Sequence, residues 1–201
     1  MDDRVFERLD PKAAGRPDLM GGRTSITLAE GMTGMMESVF PNVKNRSKTI
    51  TAEIDVPKGG GNGTVIAQGG RFGGWSLYVK DGVPAYDYNF LGLQRSSVSA
   101  KKKLAPGKHT VVFQFDYDGG GPAKGGKGTL FVNGEKVAEG RIERTQPGLF
   151  SADETADIGI DLGTPVVEAI GAEAKSRFTG HIPKVNVEVR EVKAKAEAAA
   201  K

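Results

Sequence analysis

The chain has 201 residues, with 28 basic against 25 acidic and a formal charge of +3 at neutral pH. Its length suits one large domain or two small ones and is ample for a buried core, while so small a charge excess gives no electrostatic case for nucleic-acid binding. Cysteine is absent, which excludes disulfides, thiolate metal sites and a cysteine nucleophile.

The first ten residues, MDDRVFERLD, are charged from the start and lack the apolar core of a secretory signal. No apolar run approaches the ~18 residues of a membrane span, so no membrane partner is expected and the compartment, periplasm or cytoplasm, stays open. Residues 1–22 carry Pro11 and Pro17 without sustained alternation and read as an irregular lead-in. From residue 23 to 192 the chain reads as one β-sandwich domain. Its 29 glycines fall mostly in clusters between short β-branched and aromatic stretches, the punctuation of an all-β fold.

In chain order, Ile50, Ala52, Ile54 and Val56 share one face of a strand and Thr51, Glu53 and Asp55 the other, as expected where one side meets a core. A strand at about 63–69 precedes a hairpin closed by Asp81-Gly82, a dipeptide that tolerates the positive φ of a two-residue type I′ turn. That turn pairs Val79 with Pro84, Leu77 with Tyr86 and Trp75 with Tyr88, and leaves Ser76, Tyr78, Ala85 and Asp87 on the reverse face. Strands follow at about 96–104, 108–117 and 128–140, the last carrying a second I′ signal at Asn133-Gly134. The run Lys101–Lys103 reads as a solvated strand end. Val185, Val187 and Val189 alternate with polar residues near the end, and residues 193–201, rich in Ala and charge, form a short helical tail that frays in water.

The segment DGGGPAKGGKGT places Gly121, Gly126 and Lys127 at Walker A spacing, but Gly128 stands where Ser or Thr should hold magnesium. A strand, not a helix, follows it, so the segment reads as a hairpin connector. His109 and His181 have no partner at metal-ligand or triad spacing and read as structural. No catalytic residue is assigned. No cofactor is expected, with calcium on Asp116 and Asp118 of FDYDGGG as the alternative. The acids Asp153, Glu154, Asp157 and Asp161 read as solvated charge or turn formers rather than a glycosidase pair. Met32, Met35 and Met36 read as packing residues. Trp75, Tyr86, Tyr88 and Phe90 admit two readings: the inner face of a sandwich, favoured by alternation with Leu77 and Val79, or a sugar-stacking platform served by Arg71.

Several stretches resemble a known family. AGRPDLMGGR, VKNRS, AQGGRFGGWSLYVKDG, YNFLGLQR, GKGTLFVNGEKVAEGRIERT, DLGTPV and RFTG are similar, in unbroken order from about Pro11 to Val192, to the C-terminal region of large bacterial arylsulfatases. Within them GWSLYVKDG and HTVVFQFDY with GTLFVNGEKV also resemble strand–turn–strand pieces of concanavalin A-like, laminin G-like jelly rolls. The family resemblance implies sulfate-ester hydrolysis by a formylglycine made within a C/S-x-P-S-R motif, assisted by calcium. That motif is absent here. The expectation is therefore an all-β, antiparallel jelly-roll sandwich without sulfatase turnover of its own, acting as an accessory region that docks on a sulfatase catalytic domain or subunit. The alternative is a stand-alone, lectin-like glycan-binding module.

Overall fold

The computed structural model of the protein describes residue 15 and residues 19–190; the expected tail at 193–201 and most of the lead-in lie outside the described residues. Eleven strands occur among them: β1 (Ser25–Leu28), β2 (Ser47–Val56), β3 (Gly63–Gly70), β4 (Gly73–Lys80), β5 (Val83–Phe90), β6 (Gln94–Ser99), β7 (Gly107–Tyr117), β8 (Gly126–Val132), β9 (Glu135–Ile142), β10 (Ala156–Ile158) and β11 (His181–Arg190). They form a six-stranded sheet, β1-β11-β2-β7-β8-β9, and a five-stranded sheet, β10-β3-β4-β5-β6. Every strand pair is antiparallel. The expected concanavalin A-like sandwich is thus the fold.

Both turn dipeptides set the register as their chemistry requires. Asp81 and Gly82 have φ of 52° and 85°, and Asn133 and Gly134 of 51° and 83°, the left-handed pair of a type I′ turn. The β4–β5 ladder places Val79 opposite Pro84, Leu77 opposite Tyr86 and Trp75 opposite Tyr88. The apolar faces of β2, β4, β5, β7 and β11 then close on one core that includes Ile50, Ile54, Trp75, Leu77, Tyr86, Phe113 and Val187. The segment after Gly121 continues into β8, so it is the hairpin connector that the sequence indicates.

The reverse face of the five-stranded sheet is not left to water. The long segment between β10 and β11 folds across it, and Val166, Val167 and Ile170 pack on Ala67, Tyr78 and Ala85 as a second, smaller core. Strand alternation alone shows two apolar faces there without saying what covers the outer one. This covering segment also braces one end of the sandwich.

Candidate functional site

Trp75, Tyr86 and Tyr88 expose 0%, 0% and 3% of their surface. That corrects the stacking-platform alternative for these three rings, because their face of β4 and β5 is turned toward the six-stranded sheet. Trp75 Nε1 donates to Gln68 Oε1 at 3.0 Å, and Tyr88 Oη accepts from the Gln146 N–H at 2.7 Å. Tyr86 lies parallel to Phe113. The rings instead enclose Lys48, whose ammonium sits 4.6 Å from the centre of Trp75 and within 6 Å of Tyr86, Tyr88 and Phe115. Burial first, then the charge of Lys44, lowers the Lys48 pKa from 10.5 to about 7. Sequence reasoning missed this lysine, although Lys48 stands on the same alternation as Ile50, Ala52 and Ile54.

Asp116 and Asp118 are each engaged by an arginine. Arg190 Nη2 donates to Asp116 at 3.0 Å, while Arg141 clasps Asp118 through two N–H groups. Among the described residues no group of three His, Asp or Glu side chains is placed to hold a metal. Two members of the acidic segment depart from the solvated reading, since Asp157 and Asp161 are each 1% exposed. Asp157 accepts from the Gly34 N–H at 2.7 Å. Asp161 accepts from the Val166 N–H at 2.9 Å, pinning the covering segment, and burial pushes its pKa to about 7. Met35 packs on the core as expected, whereas Met32 and Met36 are exposed, a correction to their reading as packing residues. His109 bridges Ala105 O and Asn133, and His181 meets Glu30; both are hydrogen-bonded ties between neighbouring segments.

Arg71 lies elsewhere, on an exposed end of the sandwich. The two-residue turn Arg71-Phe72 joins β3 to β4, and glycines flank it for a steric reason: a Cβ on Gly70 would lie 2.6 Å from Thr164 Oγ1. Phe72 is 73% exposed and Leu93 83%, with Leu91 at 41%. Buried Asn89 locks the two turns together, its Nδ2 donating to Gly70 O at 2.9 Å and Arg71 O at 2.7 Å while its Oδ1 accepts from the Gly92 N–H at 2.9 Å. The Arg71 N–H donates to Thr164 Oγ1 at 2.9 Å. Its guanidinium holds both Glu168 oxygens, at 2.8 and 3.2 Å, and Arg95 approaches the same carboxylate at 3.7 Å. The hydrogen bond and charge of Arg71 hold the Glu168 carboxyl below its ordinary pKa.

This end therefore combines an exposed aromatic ring with a braced, planar set of donors and acceptors. A groove of about 470 Å³ adjoins it through Phe90, lined also by Lys124, Arg141 and Arg144. An apolar surface rimmed by fixed polar groups marks an interaction site. Sequence reasoning singled out Arg71 but missed Phe72. The available signal was its place between two glycine pairs in QGGRFGGW, where a turn cannot deliver a large ring to the core.

Comparison with known proteins found no matching family model and no matching curated protein, so nothing beyond the quoted motifs links the chain to arylsulfatases. Solved structures do match. The CBM40 domain of Ruminococcus gnavus IT-sialidase, solved bound to alpha2,3 sialyllactose, is 15% identical, aligns over 86% of this chain and 92% of its own, and gives a TM-score of 0.53. Domain 4 of AbnA, a GH43 extracellular arabinanase from Geobacillus stearothermophilus solved with arabinotriose, is 13% identical over 84% of this chain and 68% of its own, with a TM-score of 0.50. At such identities the likeness establishes the shared fold.

Proposed function

We propose that this chain is a carbohydrate-binding module and that its glycan site is the turn end bearing Phe72, Leu93 and the Arg71–Glu168 pair. The carrying observation is the 73% exposed Phe72 ring on the same two-residue turn as a guanidinium already oriented by a carboxylate. A sugar offers an apolar C–H face flanked by hydroxyls. Phe72 would take the face, and Arg71, Glu168 and Arg95 the hydroxyls, with little side-chain entropy left to lose on binding. The oligosaccharides bound by the similarly folded sialidase and arabinanase domains support this reading.

The accessory role implied by the arylsulfatase resemblance fits the same module, which would then carry a sulfate-ester hydrolase to its polysaccharide. A glycan array probed with the intact chain tests the binding reading. Phe72→Ala should weaken the best glycan about tenfold, roughly 1.4 kcal/mol, at an unchanged melting temperature. Absence of binding to any glycan at millimolar concentration, or full affinity in Phe72→Ala, overturns it.

A further inference from the structure

The turns at the other ends of β4 and β5 carry a different chemistry. β4 runs eight residues from Gly73 to Lys80, so its two ends lie about 25 Å apart. At the Lys80 end a cleft of about 690 Å³ opens between the segment Pro57–Asn62, the Asp81-Gly82 turn, Lys103–Pro106 and Thr179. Its walls are cross-linked: the Gly82 N–H donates to Gly61 O at 2.9 Å and the Leu104 N–H to Gly82 O at 2.8 Å. The Asp81 N–H donates to Asn62 Oδ1 at 3.0 Å.

Lys58 and Lys103 line this cleft, and Lys80, Lys101, Lys102 and Lys108 lie next to its lining residues in the chain or two positions from them; all six are exposed. The same end also carries Asp55 and Asp81, with Glu135 and Lys136 following the neighbouring Asn133-Gly134 turn and Arg177 beside Gly63, and among the described residues none of the six lysines has a salt-bridge partner. So many lysines without ion-pair partners make this end locally cationic. The run Lys101–Lys103, a solvated strand end when read alone, shares this end of the sandwich with Lys58, Lys80 and Lys108.

We infer that this lysine end is a second binding surface, for an anionic polysaccharide bearing sulfate or uronate groups. The size of the cleft is that of small-ligand sites. Its donors, the lysine ammoniums and the Asn62 amide, suit anionic oxygens as point contacts. No aromatic side chain lines it, which disfavours a single-stranded nucleic acid that needs stacking platforms. Turns rather than a free strand edge form it, which leaves an acidic peptide no ladder to extend.

The experiment compares the intact chain with a Lys58→Gln/Lys101→Gln/Lys102→Gln/Lys103→Gln variant, using heparin as the sulfated probe and dextran as the neutral one. Heparin should bind with a steep salt dependence, and the variant should bind at least tenfold more weakly at about 0.1 M salt with a shallower slope. Phe72→Ala should leave heparin binding unchanged, which separates this surface from the glycan site at the opposite end. Wild-type affinity in the quadruple variant, with its melting temperature retained, overturns the inference. So does equal or tighter binding of polyglutamate or single-stranded DNA.

Discussion

Lys48 shows how one residue departs from the pattern that otherwise builds the core. It occupies an inward position on β2, directly opposite Phe115, where alternation calls for an apolar side chain. Four aromatic rings compensate in part, each cation–π contact contributing about 0.5–2 kcal/mol. Because the folded pKa of about 7 lies below the 10.5 of the free side chain, the unfolded chain binds the extra proton between those values. Stability contributed at this site therefore rises with pH from about 7 to 10.5 and is lowest below 7. Lys48→Met should raise the urea midpoint at pH 7 and flatten that rise. A midpoint lowered by the substitution would show that the caged ammonium stabilises the fold outright.

Among the elements, the β5–β6 turn illustrates strain kept at a candidate site. Leu91 takes φ of 55°, a left-handed conformation costly for a branched side chain, by about 1–2 kcal/mol. Leu91→Gly should accordingly stabilise the protein by about 1 kcal/mol in chemical denaturation while weakening glycan binding through loss of apolar rim. Unchanged stability would mean that the surrounding hydrogen bonds from Asn89 do not hold a strained turn. The hairpins were legible in the sequence because Asp-Gly and Asn-Gly dictate positive φ locally, and register followed from them. Short β1 and β10 were not, since four and three residues pair only after distant strands have formed. The fate of Asp157 and Asp161 was hidden for the same reason: burial depends on how the segment between β10 and β11 crosses the sheet. Arg71 was legible as a candidate through its glycine setting, whereas its partner Glu168 lies 97 positions away.

For the whole molecule, the two buried titrating groups oppose each other. Asp161 keeps its proton to about pH 7 when folded but loses it near 3.8 when unfolded, so its contribution falls as pH rises from about 4 to 7. Asp157 and Asp87, also raised by burial, add to that decline. Above 7 the Lys48 contribution climbs. Urea midpoints measured from pH 4 to 10 should pass through a minimum close to neutrality, and a maximum there would contradict this assignment. Charge is divided as well, with apolar and guanidinium chemistry at the Phe72 end and unpaired lysines at the other, so one sandwich presents two chemically distinct surfaces.

Chemical-shift mapping of the isotope-labelled chain, titrated with the tightest neutral glycan from an array, bears most directly on the claim that carbohydrate binds at the Phe72 turns. The largest shifts should fall on Arg71, Phe72, Leu91–Leu93 and Thr164–Glu168 and saturate together. Shifts confined to other surfaces, or spread through the Lys48 cage with none at Phe72, would contradict it.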